Sequence, residues 1–219
     1  MRRKEKGERR KAVILVSGGM DSCVTAATAI KDGYQPAFLH INYGQRTESR
    51  ELKAFNEIAY HYQVEQKLVA DISHLSEIGT SCITDENIEV PDADLESHDI
   101  PISYIPFRNA NILAAATSWA EVLGAKAIYV GAVEEDSSGY PDCRRSFFDA
   151  FEHTIDTGTK PGTQIKIITP LIHLSKKEIV EKGITLDAPL HLTWSCYENK
   201  AVPCGKCDSC ALRARGFEQ

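Results

Sequence analysis

Two stretches of this 219-residue chain concentrate side chains that could do chemistry. The first is Ser17-Gly18-Gly19-Met20-Asp21-Ser22, directly after the apolar run Ala12–Val16. Adjacent glycines let backbone N–H groups come close to an anion. A helix that begins at such a turn aims its unbonded N–H groups and the positive end of its dipole the same way. Val16 through Ser22 are therefore candidate phosphate-binding residues, with the Ser17 and Ser22 hydroxyls as extra donors. An ordinary tight strand–helix turn also uses paired glycines, so the glycines alone decide little. Asp21 is the misfit: a carboxylate beside a pyrophosphate is tolerable if Mg²⁺ lies between them. The chain contains neither G-x-x-x-x-G-K-[ST] nor G-x-G-x-x-G, which excludes a Walker-type loop and a dinucleotide fingerprint.

The second stretch holds Cys196, Cys204, Cys207 and Cys210, spaced C-x7-C-x2-C-x2-C. Short C-x2-C turns bring thiolates onto one centre, and four of them suit tetrahedral zinc in a closed, structural site. An iron–sulfur cluster is the rival, although no C-x3-C-P follows. A tail of this size cannot build its own core, and a metal would replace one. Cys23 and Cys82 read as packing or incidental residues.

Further candidates lie between these stretches. Residues 131–151 offer Glu134, Glu135, Asp136, Tyr140, Asp142, Cys143 and Arg144 after a strand. The bland alternative is a solvated loop whose Asp142 caps the next helix. Arg108 and Asn109 open another helix, where an anion could be held. The run His40-Ile41-Asn42-Tyr43-Gly44-Gln45-Arg46 ends a strand. His40 could be a base or ligand, but a lone strand-end histidine is more often hydrogen-bonded in place.

These groups need a frame. Strands are expected at 11–17, 36–44, 65–72, 126–132 and 166–172, with helices at 21–33, 47–62, 108–124, 145–158 and 175–183. The last helix opens with a capping box, Ser175 and Glu178. Alternating strands and helices predict an α/β fold with a doubly wound, mainly parallel five-stranded sheet, which binds ligands at the carboxyl ends of its strands. Residues 11–185 would form this domain, 73–105 a long insertion or mobile lid, and 186–219 a metal-binding tail. Residues 1–10 read as a disordered basic extension. Seven basic and two acidic groups fall in the first eleven residues, against 18 and 29 in the rest. The net charge of −6 does not point to a nucleic-acid binder. No run approaches the roughly 20 apolar residues of a membrane span and none has the form of a signal peptide, so a cytoplasmic protein is expected.

The glycine loop resembles the S-G-G-x-D-S loop of the PP-loop ATP pyrophosphatases, whose fold is of the adenine-nucleotide alpha-hydrolase-like type. With Asn42-Tyr43-Gly44-Gln45-Arg46, Pro106-Phe107-Arg108-Asn109, Ser138-Gly139-Tyr140-Pro141-Asp142-Cys143-Arg144 and the cysteine tail, nearly the whole chain resembles the 7-cyano-7-deazaguanine synthase family of queuosine biosynthesis. One departure is Phe107, where many members have glycine. The resemblance implies ATP-dependent adenylation of 7-carboxy-7-deazaguanine, attack by ammonia to give an amide, and a second activation that yields the nitrile. On this reading Val16–Ser22 hold ATP with Mg²⁺ at Asp21, and the four cysteines hold Zn²⁺. Asn42, Tyr43, Gln45, Arg108, Asn109, Tyr140, Asp142 and Arg144 contact substrate, with Asp21, Arg108 and Asp142 as the catalytic candidates. The rival is a PP-loop tRNA-modifying or sulfur-transfer enzyme using Cys143. A homodimer is left open by the sequence.

Overall fold

The computed structural model describes residues 10–79, 81–97, 99–134 and 139–218. The basic extension therefore lies, but for Arg10, outside the described residues, as do Glu135 and Asp136.

Five parallel strands form one sheet in the order β3-β2-β1-β4-β5. They are β1 (Lys11–Leu15), β2 (Gln35–Asn42), β3 (Lys67–Asp71), β4 (Ala127–Tyr129) and β5 (Lys166–Ile168). Parallel strands need crossovers, and the helices that supply them cover both faces. On one face Ala12 and Ile14 of β1, Val16 just after it and Phe38 of β2 pack against α1 (Met20–Lys31) and α2 (Glu48–His61), through Cys23, Phe55 and Ile58. On the other, Val13, Leu39 and Ile41 meet α4 (Arg108–Leu123) and α5 (Arg145–Gly158), through Leu113, Ala116, Phe148 and Ile155. The period-two alternation of an otherwise continuous apolar run thus feeds two separate cores.

β4 and β5 are shorter than the runs expected at 126–132 and 166–172. Each leaves the sheet near a residue that suits departure: Gly131 after β4 and Pro170, which has no N–H to pair, after β5. The chain then turns into α6 (Lys176–Thr185). Its capping box is present: Ser175 Oγ accepts from Glu178 N–H, and Glu178 accepts from Ser175 N–H at 2.8 Å.

The segment 73–105 contains a single short helix, α3 (His74–Ile78), and otherwise turns and extended chain among its described residues. It packs on the tail. Cys82, Ile83 and Val90 share a buried cluster with Trp194, Cys196, Cys207 and Cys210. Ala93 N–H donates to Lys206 O at 2.8 Å. The tail ends in α7 (Asp208–Phe217), which lies against α6.

Candidate active site

The strand order reverses between β1 and β4, so the crossovers from these strands leave in opposite directions and open a crevice at their carboxyl ends. A cavity of about 320 Å³ fills that crevice. Its floor is the end of β1 and the glycine loop on one side and Val130–Val133 on the other. One wall comes from Tyr43, Arg108, Tyr140 and Cys143, and the other from Lys176 of α6 with Trp194, Tyr197 and Arg213 of the tail.

The loop is built to receive an anion. Gly18 has φ +94°, and a Cβ there would stand 2.6 Å from Glu51 O, so only glycine lets the loop lie on α2. Gly18 O accepts Trp194 N–H at 2.9 Å, which ties the tail to the loop. Ser22 Oγ donates to Gly19 O at 2.9 Å, and Ser17 Oγ accepts Gly19 N–H at 3.2 Å. No side chain caps α1, so its first-turn N–H groups face the crevice without a protein cap. Asp21 Oδ2 pairs with Lys176 Nζ at 2.8 Å, across 155 residues of sequence, while its buried Oδ1 has no hydrogen-bond partner. The orphaned oxygen fits a cation ligand.

The opposite wall carries a buried cation. The Arg108 guanidinium lies over the Tyr43 ring at 5.1 Å and donates to Tyr43 Oη at 3.5 Å, and its buried Nε has no partner. Burial opposes its charge, yet its pKa lies above the ordinary arginine range, so it stays a guanidinium. Burial pushes the Tyr43 and Tyr197 phenols up, so they stay protonated. Tyr140 is fixed by Ser103, with 2.6 Å between the hydroxyl oxygens.

Of the residues expected from sequence, Val16, Ser17, Gly19, Met20, Asp21, Ser22, Tyr43, Arg108, Asn109 and Tyr140 line this one cavity. Gly18 faces α2 instead. Asn42 donates to Glu48 at 3.1 Å, and Gln45 is held between Tyr43 N–H and Glu51. Both brace the loop behind the wall. Asp142 is buried, and it caps α4, where the bland reading had it capping the next helix. Its Oδ2 accepts Asn109 N–H at 2.9 Å, and its carbonyl accepts from the Asn109 side chain at 2.8 Å. Arg144 is exposed. His40 is fully buried, its Nδ1 3.0 Å from Val16 O and its ring on Phe55. Burial lowers its pKa, so it is a neutral structural group. Lys176, Arg213, Tyr197 and Glu51 escaped the sequence reading. Only Lys176 had a signal, since it follows the loop at the end of β5.

The Sγ atoms of Cys196, Cys204, Cys207 and Cys210 all lie within 4.8 Å of one another, compatible with a metal site. Cys204 and Cys210 Sγ are 3.9 Å apart, close to the edge of a tetrahedron with metal–sulfur arms of about 2.3 Å. Cys196 Sγ accepts N–H bonds from Asn199 and Cys204, each at 3.3 Å, which favours a thiolate.

Residues 11–219 match the family model described as "Queuosine biosynthesis protein QueC". The 7-cyano-7-deazaguanine synthase of Chlorobium chlorochromatii is 57% identical over 209 residues, spanning 95% of this chain and 92% of that protein. That of Chloroherpeton thalassium is 58% identical over the same length and the same shares. Among solved structures, a 4-thiouridine synthetase–RNA complex with bound ATP aligns with TM-score 0.53 at 19% identity, over 95% of this chain and 53% of that one. NMN synthetase from Francisella tularensis aligns with TM-score 0.50 at 16% identity, over 91% and 71%. These distant likenesses show the fold alone. The sequence matches go further: over residues 11–219 the chain belongs to the queuosine biosynthesis protein QueC family.

Proposed function

We propose that the chain converts 7-carboxy-7-deazaguanine and ammonia to 7-cyano-7-deazaguanine, with ATP adenylating first the carboxylate and then the amide. The observation that carries this reading is the cavity with an anion cradle on one wall and a buried cation among phenols on the other. The glycine loop holds the ATP phosphates. Asp21 Oδ1 would be a ligand for Mg²⁺, which would supply positive charge beside the phosphates. Lys176 adds a fixed positive charge beside the same phosphates, and Arg213 a second from the tail. Arg108 draws in the carboxylate and holds it for attack on the α-phosphorus. A carboxylate is a poor electrophile and hydroxide a poor leaving group. AMP supplies the leaving group, and the walls supply orientation. Tyr43, Tyr140 and Tyr197 offer aromatic faces to the deazapurine. Asn109 lines the same cavity beside them, its amide nitrogen held by Asp142 O and Cys143 Sγ and its backbone N–H by the Asp142 carboxylate. The four cysteines hold Zn²⁺ as a structural site, which keeps Trp194–Tyr197 and α7 against the cavity.

The sulfur-transfer reading is disfavoured by Cys143. Burial and then the neighbouring Asp142 push its thiol up to about 11, so it is not a ready nucleophile at neutral pH. The test is purified protein with ATP, Mg²⁺, ammonium and 7-carboxy-7-deazaguanine, read by mass. Nitrile and AMP are expected. ATP turnover that ignores this substrate would overturn the reading. Arg108→Lys separates roles: the affinity for the carboxylate substrate falls by about tenfold or more, because an ammonium cannot reproduce a planar, stacked guanidinium.

A further inference from the structure

This inference rests on the amide-forming reading above. Nitrogen for that step arrives in neutral water almost entirely as ammonium, whose lone pair is occupied by a proton. Some group must take that proton where the acyl-adenylate sits. Three carboxylates line the cavity among the described residues: Asp21, Asp208 and Glu51. Asp21 is paired with Lys176 at the phosphate loop. Asp208 opens α7 and accepts a backbone hydrogen bond from Asp94 of the 73–105 segment. Glu51 has no ion pair among the described residues. It stands in the first turn of α2, behind the glycine loop and beside Tyr43. Two neutral donors fix its orientation: Thr47 Oγ1 to Oε1 at 2.6 Å and Gln45 Nε2 to Oε2 at 3.2 Å. Thr47 is fully buried and Gln45 nearly so. A fixed, half-buried carboxylate on the cavity wall suits a small cation.

We propose that Glu51 is the ammonium-binding catalytic base of amide formation. Ammonium docks on its carboxylate and gives it one proton. The freed nitrogen lone pair forms the C–N bond at the acyl carbon. The C–O bond to AMP breaks, AMP leaves with that electron pair, and the second surplus nitrogen proton passes to water. Glu51 then returns its proton to water. Burial holds its carboxyl above the usual carboxylate range, against the pull of Thr47, Gln45, His40 and Arg108, which strengthens it as a base once ionised.

Hydroxylamine tests this, because it is uncharged near neutral pH and needs no deprotonation before attack. In Glu51→Gln, kcat/KM for ammonium should fall about 100-fold or more, while hydroxamate formation and substrate-dependent ATP–pyrophosphate exchange stay within about threefold of wild type. Equal loss with both nucleophiles, or no loss with ammonium, would overturn the proposal. Should Glu51→Gln not fold, the wild type decides. The facing groups are His40 and Tyr43 from the β2 end and Arg108 from α4. Binding of ammonium itself predicts a kcat/KM for total ammonium nearly flat from roughly pH 6.5 to 8.5. Uptake of free ammonia predicts a rise of about tenfold per pH unit, and that outcome refutes the role of Glu51. Absence of exchange in the wild type would instead fell the synthase reading, and this proposal with it.

Discussion

At the scale of single residues, Phe107 shows what the site tolerates. It takes the left-handed conformation, φ 58°, at the N-terminus of α4, one residue before the Arg108 that crosses into the cavity. A side chain there costs about 1 kcal/mol. Its ring is 62% exposed and meets Phe147 edge-on at a centroid distance of 6.2 Å, so most of the ring stays in water and little burial offsets that cost. Phe107→Gly is expected to raise the melting temperature by about 1–3 °C, and Phe107→Val to lower it. Thermal melts of the two variants check both signs. The family resemblance implied glycine at this position, and the left-handed backbone angle gives a physical reason for that preference. Nothing in one dimension marked Glu51 out from the other acids of α2. Its burial comes from Gly18 lying on its carbonyl and from Gln45 reaching across a turn.

At the scale of elements, α6 is the piece that brings Lys176 to Asp21, and its start is set by the Ser175–Glu178 box. Ser175→Ala removes the acceptor for Glu178 N–H and should cost about 1 kcal/mol of stability, read as a lower urea midpoint with an unchanged slope. ATP turnover should fall with it, because Lys176 is the first residue of that helix. This box was legible because its two residues sit three apart in sequence. The strands of the first half were legible for a similar reason: β1 is one apolar run, and its two faces go to two different helix layers. The ends of β4 and β5 were not, because apolar residues after Gly131 and Pro170 continue into buried loops that no longer pair. Segment 73–105 resisted reading as well. Its buried residues, Cys82, Ile83 and Val90, are irregularly spaced because they pack on the cysteine tail, where no helix or strand period applies.

At the scale of the whole molecule, the cysteine tail supplies part of the cavity wall. Trp194 and Tyr197 flank Cys196, and Arg213 follows Cys210 by less than one turn of α7. Arg213 donates to Thr193 Oγ1 at 2.6 Å and Leu190 O at 3.1 Å, so its placement depends on both halves of the tail. Metal removal by a strong chelator should therefore weaken ATP binding by about tenfold or more while leaving most of the far-UV circular dichroism, which comes from the 11–185 core. Unchanged ATP affinity in a verified metal-free protein would show the tail to be a separate appendage. The four cysteines were readable as one centre from their spacing. Their contribution to the ligand chamber was not, because it is made by the residues between and after them. The contact between α7 and α6 bears on when Lys176 is seated. A Cβ on Gly216 would stand 3.1 Å from Lys176 O, so the end of α7 seats directly on the turn that carries the lysine gripping Asp21. On a growing polypeptide the sheet and its helices can assemble early, since domains form from the N-terminal side as they are made. The lysine that grips Asp21 gains this neighbour only once residue 216 has been made, after the sheet and its helices, so its seating is a late event in folding.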